Sequence, residues 1–96
     1  MGKITWSIVA RQDAREIHDY IASDSPFYAQ KTVEKFFERV KILKNFPQIG
    51  REVPEFEDEA IRELIEGNYR IIYWVQSEDI TILRVHHSAR LLRKRY

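Results

Sequence analysis

The segment that most constrains how this chain folds is a run of seven residues from Tyr69 to Val75, which reads Y-R-I-I-Y-W-V. Nearly every residue in the run is aromatic or β-branched, and such side chains favour strands. Continuous runs of this kind are typical of a strand that is buried on both faces. The run therefore predicts a central strand of a β-sheet.

Shorter apolar segments elsewhere predict the other strands of this sheet. One strand begins near Ile61 and ends at the turn signal Gly67-Asn68, and the polar residues 76–79 lead into another strand from Ile80 to Val85. Near the start of the chain, apolar and polar residues alternate and predict a short strand whose buried face is formed by Ile4, Trp6 and Ile8.

Two segments between the first strand and the later ones have helical periodicity. The first helix runs from about Arg11 to Ser23, and its apolar face comprises Ala10, Ala14, Ile17 and Ile21. Its opposite face is polar and comprises Asp13, Arg15, Glu16 and Asp19. After a very short turn, Ser25 is suited to cap the second helix and Pro26 to begin it. This helix ends at residues 45–47, and its apolar face comprises Ala29, Val33, Phe36, Val40 and Leu43.

The predicted order of elements, β-α-α-β-β-β, defines an α+β domain in which an antiparallel helical hairpin packs on a small, mostly antiparallel sheet. Residues 1–96 form one domain, because the chain is too short for two. A domain of this size buries roughly 60–65% of the surface that its unfolded chain exposes, so we expect marginal stability without a partner. We also expect a cytoplasmic protein, because the sequence has no cysteine, no signal peptide and no membrane-spanning apolar run.

The net charge of +1 conceals an uneven distribution along the chain. Residues 1–50 carry 8 basic and 6 acidic groups, residues 51–66 carry 2 and 7, and residues 67–96 carry 6 and 2. The corresponding net charges are +2, −5 and +4. Such blocks can indicate surfaces for charged partners, but a solvated acidic loop and a solvated basic terminus give the same pattern.

The motifs of several enzyme classes are missing from the sequence. The three histidines, His18, His86 and His87, do not have the spacing of a metal site, and neither a cysteine nor a G-x-S-x-G motif supplies a nucleophile. Three scattered glycines cannot form a phosphate-binding loop. We therefore expect neither a metal nor another cofactor.

The remaining candidates for chemistry are basic and imidazole groups near the predicted sheet. They are Arg51, Arg62, Arg70, Arg84, His86, His87 and Arg90. Cleavage of RNA without a metal needs a base, an acid and cations for the phosphorane, and a histidine can serve at either proton-transfer step. The structural alternative is that Arg70 pairs with Glu63 or Glu66 across the hairpin, while the two adjacent histidines simply end a strand.

Four segments together carry a resemblance to a known family. They read A-R-E-I-H-D-Y-I-A-S-D-S-P-x-x-A at residues 14–29, F-P-Q-I-G-R-E-V-P-E at 46–55, I-R-E-L-I-E-G-N-Y-R-I-I-Y-W-V at 61–75 and I-x-I-L-R-V-H-H-S-A-R at 80–90. No single segment is diagnostic, but their order and spacing are specific. In these segments the chain resembles toxins of the RelE/ParE superfamily from bacterial type II toxin–antitoxin systems.

This superfamily has two activities on one scaffold, so the fold does not choose between them. RelE-type members cut messenger RNA in the ribosomal A site, whereas ParE-type members poison DNA gyrase through contact. For an RNA-cleaving toxin, the resemblance implies that the catalytic residues are Arg70 and His86 or His87. The resemblance also places Arg90 near another basic position of those relatives. The residues predicted to contact nucleic acid or another target are Arg51, Arg62, Arg70 and Arg90.

Departures from the RNA-cleaving pattern favour the gyrase-poisoning alternative. Where the RNA-cleaving relatives carry a lysine-rich strand, this chain has Ile61-Arg62-Glu63, and a carboxylate beside a phosphate weakens binding. Only the terminal Tyr96 is available as the tyrosine expected after the last strand. The hypothesis is therefore a ParE-like toxin, with a ribosome-dependent endoribonuclease as the alternative and a non-toxic member of a repressor complex as a third possibility.

The resemblance also implies the partners of the protein. A cognate antitoxin would neutralise the toxin, and the target would be DNA gyrase or the ribosome with its messenger RNA. Exposed sheet edges could accept a strand or helix from the antitoxin. No membrane contact is expected, and operator DNA would be bound only through the antitoxin, because this chain shows no helix-turn-helix.

Overall fold

The structure, a computed structural model, describes residues 2–88 and has the predicted α+β architecture. Two helices, α1 (Ile8–Ala22) and α2 (Pro26–Arg39), are followed by a 3₁₀-helix at Val40–Lys44. The strands are β1 (Ile4–Trp6), β2 (Arg51–Glu52), β3 (Ile61–Glu66), β4 (Tyr69–Gln76) and β5 (Asp79–His87). The short strand β2 is not among the predicted elements. Within residues 2–88, neither helix has the length and apolar character needed to cross a membrane.

The five strands form one sheet in the order β1-β5-β4-β3-β2, so the predicted central position of β4 is confirmed. Neighbouring strands are antiparallel except β1 and β5, which are parallel. Two hairpins connect the last three strands, and both use a left-handed residue at the turn. These residues are Gly67, with a φ of 58°, and Ser77, with a φ of 56°.

Apolar layers cover both faces of the central strand. On the face beneath the helices, which we call the helix face, the buried residues are Ala10, Ala14, Phe36, Val40, Leu43, Leu64, Ile71, Tyr73, Ile80, Ile82 and Val85. The loop after β2 covers the opposite face, which we call the loop face. Its buried residues are Val53, Phe56, Ile61, Ile72 and Leu83. This coverage explains why the sequence of β4 is apolar without alternation.

The first strand is shorter than predicted, because Ile8 belongs to α1 and not to β1. Strand β1 ends at Trp6, and Ser7 caps the helix: its hydroxyl accepts a hydrogen bond from the Ala10 amide at 2.9 Å. The side chain of Ile8 is accordingly 68% exposed. The apolar alternation therefore continues two residues beyond the strand, to Ile8, and a capping serine determines where the helix begins.

The second helix begins as predicted and ends earlier. The hydroxyl of Ser25 accepts a hydrogen bond from the Tyr28 amide at 3.3 Å, and Pro26 is the first helical residue. The α-helical geometry ends at Arg39, and the chain continues as the 3₁₀-helix to Lys44. The apolar face nevertheless runs through both segments, because Val40 and Leu43 lie in the same core layer as Phe36.

The prediction that Asp13 lies on an outward polar face of α1 is wrong. Its side chain is buried against β5, where Oδ2 accepts hydrogen bonds from the Val85 amide at 3.0 Å and from Nε of Arg84 at 2.8 Å. Strand β1 pairs with β5 only as far as Ile82. Beyond that point, the carboxylate of Asp13 satisfies an amide that a longer β1 would have bonded.

Candidate functional site

Arg70 lies within a group of charged side chains on the loop face of the sheet. We call this group the ion-pair cluster, and it consists of Arg51, Glu55, Glu63 and Arg70. Glu63 on β3 lies directly opposite Ile72, which is two residues from Arg70 on β4. Because side chains alternate between the faces of a strand, Glu63 and Arg70 project to the same face. Glu55 reaches them from the loop that covers this face.

The guanidinium of Arg70 bridges two carboxylates. Its Nε donates to Glu63 at 2.5 Å, and its two terminal nitrogens donate to the two oxygens of Glu55 at 2.7 and 2.8 Å. The other oxygen of Glu63 accepts a hydrogen bond from Arg51. The side chain of Glu63 is 0% exposed and that of Arg70 is 8% exposed, whereas that of Arg51 is 63% exposed. The pairing of Arg70 with Glu63 confirms the structural alternative drawn from the sequence, and Glu55 is a partner that the sequence did not predict.

The electrostatics of the cluster keep these side chains charged. The bidentate hydrogen bond from Arg70 lowers the pKa of Glu55 from 4.5 to about 2. The same contact and the pairing with Glu63 raise the pKa of Arg70, against the opposing effect of its burial. Arg70 is thus a fixed cation whose charge is neutralised within the protein.

We expect acid to destabilise the protein partly through Glu55. A carboxyl group whose pKa is lower in the folded state stabilises that state above its unfolded pKa, and the contribution is lost as the pH falls towards the folded pKa. The free energy of unfolding should therefore decrease between about pH 5 and pH 2. Glu55→Gln should make this decrease shallower. Glu57→Gln is the matched control, because it removes a carboxyl group from the same loop and leaves the bidentate contact between Glu55 and Arg70 in place. Urea unfolding at several pH values measures both effects, and equal pH dependence in Glu55→Gln and the unmodified protein would contradict the prediction.

The strand register directs the two adjacent histidines to opposite faces of the sheet, although both line one groove at the end of β5. His86 lies directly opposite Arg70 on the neighbouring strand, so it projects to the loop face beside the ion-pair cluster. His87 lies opposite Tyr69 on the helix face, and the two rings meet edge to face with centroids 5.3 Å apart. Of the two predicted catalytic histidines, only His86 shares a face with Arg70.

The other predicted arginines have different surroundings. Arg62 faces away from the cluster, and its Nη1 donates to the carbonyl oxygens of Gly50 at 2.9 Å and Gln48 at 3.5 Å. It thereby holds the loop that leads into β2. Arg51 contacts Glu63 but presents most of its side chain to solvent. Arg90, like Tyr96, lies outside the described residues.

A groove of about 590 Å³, which we call the histidine groove, lies between α1 and the end of β5. It is lined by Asp13, Glu16, Ile17, Tyr20, Tyr69, Arg84, Val85, His86 and His87. The sequence singled out the two histidines but missed the wall that α1 provides. The spacing of Asp13, Glu16 and Tyr20 could have indicated this wall, because residues three or four positions apart lie along one side of a helix. Among residues 2–88, no three His, Cys, Asp or Glu side chains cluster as metal ligands do.

Comparison with known proteins relates this chain and its fold to bacterial toxins. Residues 4–92 match the family model described as the ParE toxin of the type II toxin–antitoxin system parDE. Toxin RelE2 of Caulobacter vibrioides is 32% identical over 92 residues, which cover 95% of this chain and all of that protein.

Solved structures show the same relationship. The chromosomal ParDE toxin–antitoxin system from P. aeruginosa contains a chain that superposes with a TM-score of 0.75 at 29% identity, covering 91% of this chain and 96% of that one. The YoeB dimer from Staphylococcus aureus shares the fold, with a TM-score of 0.61, 21% identity and coverage of 88% and 94%.

The fold and these matches define a toxin of the RelE/ParE superfamily, as the sequence segments predicted. Within that superfamily, the chain belongs to the ParE family of type II toxin–antitoxin systems.

Proposed function

We propose that this toxin inhibits growth by binding and poisoning DNA gyrase, and that it does not itself cleave RNA. The observation that carries the proposal is the state of Arg70, which occupies the position that resembles the phosphate-binding arginine of RNA-cleaving relatives. In this chain Arg70 is buried and hydrogen-bonded to both Glu55 and Glu63.

Contact between Arg70 and a phosphate would require the cluster to break. Separating one partner from a buried ion pair costs about 3–5 kcal/mol, because a charge is left buried without compensation. Two carboxylates beside the arginine would also repel an approaching phosphate. These two effects make the loop face unsuitable for binding the scissile phosphate of RNA and favour a toxin that acts through contact.

A cognate antitoxin is the second part of the proposal. The family is defined by toxin–antitoxin systems, and the P. aeruginosa relative comes from one of them. Strand β2 pairs only with Arg62 and Glu63 of β3, so residues 64–66 have no strand partner on that edge among the described residues. Ile65 on this edge is 45% exposed. An extended segment of an antitoxin could pair with such an edge.

The test is to express the toxin in bacteria and to follow DNA breaks and RNA 5′ ends in the same cells. We expect accumulation of gyrase-linked DNA breaks with intact messenger RNA. With purified gyrase and supercoiled plasmid, the toxin should produce linear DNA, and adding the antitoxin should prevent this. The double variant His86→Gln/His87→Gln tests the alternative function, because it removes both imidazole groups that an endoribonuclease could use for proton transfer.

Codon-periodic cuts in translated RNA that disappear in the histidine double variant would overturn the proposal and establish the endoribonuclease. The position of His86 beside Arg70 is the observation that favours this second candidate. Unaffected growth on overexpression would instead indicate a member that serves only in a repressor complex.

A further inference from the structure

The histidine groove lies at the end of β5, the strand that precedes residues 89–96. His86 and His87 line the groove, and the amide of the next residue, Ser88, donates to the carbonyl oxygen of Asn68 at 2.8 Å. Residues 89–96 therefore continue from a point that is fixed to the sheet beside the groove. Eight residues span at most about 26–29 Å, so this segment is long enough to reach across the groove.

Helix α1 and strand β5 run side by side in the same direction. Before α1, the hydroxyl of Ser7 donates to the carbonyl oxygen of Leu83 at 3.0 Å. Further along, Asp13 accepts a hydrogen bond from the Val85 amide at 3.0 Å. Tyr20 lies about 10 Å beyond Asp13 along the helix, a distance that three strand residues also span. The wall that α1 contributes to the groove therefore continues beside the chain as it leaves β5.

The lining of the histidine groove offers apolar surface to a segment that binds there. Ile17 and Tyr69 are half-buried, and Tyr20 is 82% exposed. Residues 89–96 read A-R-L-L-R-K-R-Y and include the adjacent leucines Leu91 and Leu92. Contact between a leucine and this lining removes hydrocarbon on both sides from water, which favours binding.

The charges of the groove and of the segment are complementary. Residues 89–96 carry four basic groups and no acidic one. The groove is bordered by the carboxylates of Asp13 and Glu16 and by the guanidinium of Arg84. Arg84 already binds both oxygens of Asp13, at 2.8 and 3.1 Å, whereas Glu16 is exposed. A basic side chain can therefore approach Glu16 without displacing the ion pair between Asp13 and Arg84.

From this combination we infer that residues 89–96 of this chain bind in the histidine groove, with a leucine on the apolar lining and a basic side chain beside Glu16. The bound segment covers the groove faces of His86 and His87. The inference goes beyond the proposed function, because it holds for a gyrase-directed or a ribosome-directed toxin.

Two other pairings are less favourable. The acidic loop at residues 57–59 offers negative charge, but the large apolar side chains that precede it, Val53 and Phe56, are buried and leave no apolar surface for the leucines. A basic segment of another protein would compete with one that is attached beside the groove. A short tether gives its segment an effective concentration of about millimolar order, which favours the segment of this chain.

The sequence has no cysteine, which permits a disulfide test in the full chain. Arg93→Cys keeps both leucines and is combined with Tyr20→Cys in the groove wall. In the control it is combined with Ile8→Cys, because Ile8 is 68% exposed and lies at the start of the same helix, outside the groove lining. Under mild oxidation, the pair with Tyr20→Cys should form an intramolecular disulfide at least 10-fold faster than the control pair.

Equal rates for the two pairs would overturn the inference. A faster disulfide between Arg93→Cys and Glu57→Cys would place the segment at the acidic loop and would also overturn it. Disulfides that form mainly between two chains, at a rate that rises with protein concentration, would assign the groove to a second copy and contradict the inference as well.

The charge complementarity is tested in the variant that carries cysteines at positions 20 and 93. Glu16→Lys should slow its disulfide at least 3-fold. Asp19→Lys makes the same charge change on α1 outside the groove lining, so it should alter the rate less than 1.5-fold. Equal slowing by the two substitutions would show that the attraction is not specific to the groove and would count against the inference. Circular dichroism restricts the comparison to folded variants.

A second measurement leaves every groove side chain intact. In the full chain with methyl-labelled isoleucine, Leu91→Ser combined with Leu92→Ser should shift the NMR resonance of the Ile17 δ1-methyl group. The resonance of Ile8, which does not line the groove, should stay in place. An unchanged Ile17 resonance would mean that the leucines do not contact the lining, and the inference would then be wrong.

Discussion

Arg70→Ala should lower the free energy of unfolding by about 3–5 kcal/mol, the range for removing one partner from a buried ion pair. The substitution leaves Glu63, whose side chain is 0% exposed, with Arg51 as its remaining partner. It also releases Glu55, which fixes the covering loop to β4. Urea unfolding at pH 7 measures the effect.

Arg51→Ala is the matched control, because Arg51 binds the other oxygen of the same carboxylate. Its side chain is 63% exposed, so solvent screens the interaction and the expected loss is below about 1 kcal/mol. If Arg70→Ala abolished growth arrest while retaining the stability of the unmodified protein, Arg70 would be a target-binding residue. That result would contradict the structural role assigned to it.

Gly50→Ala should destabilise the protein by about 3 kcal/mol, because overpacking at a buried site forces neighbouring atoms to move. A Cβ atom at this position would lie 2.5 Å from the carbonyl oxygen of Glu63 and 2.5 Å from the hydroxyl of Tyr73. The Gly50 amide also donates to that hydroxyl at 2.9 Å in a buried setting. The loop that leads into β2 therefore packs against the sheet only because residue 50 has no side chain.

Gly67→Asn provides the control for this prediction. Gly67 has a φ of 58°, but nothing lies within 4 Å of a Cβ built there, and asparagine tolerates this conformation. We expect a change below about 1 kcal/mol at Gly67. Thermal unfolding compares the two variants directly, and equal losses at both positions would show that steric contact with Tyr73 does not set the requirement at Gly50.

Much of the fold could be predicted because the deciding interactions are local. The unbroken apolar run of β4 indicated burial on both faces, and Ser25-Pro26 marked the start of α2 through capping chemistry confined to a few neighbouring residues. The prediction for Ile8 was wrong because two local patterns there favoured different structures. Apolar alternation and a serine cap overlapped at the start of α1, and the cap determined the boundary.

The candidate site was less predictable, because its contacts join residues that are far apart in sequence. The pairing of Arg70 with Glu63 followed from the hairpin register, since only a short turn separates the two strands. The contact of Arg70 with Glu55 depends on a loop that folds over the sheet, and the contact of Asp13 with Val85 joins residues 72 positions apart in the chain. No periodicity in the sequence encodes either of these contacts.

By itself, the sequence determined the central strand, the helical hairpin and the α+β class, because burial patterns, caps and turns act over short distances. Membership of the toxin superfamily followed from the resemblance that four of its segments carry. Only the tertiary structure decided which charges are available to a partner. It neutralised Arg70 with two carboxylates and placed His86 and His87 on opposite faces of the sheet. The physical reason is that the availability of a charge depends on its burial and its neighbours in space, and these are set when strands and loops distant in sequence come together.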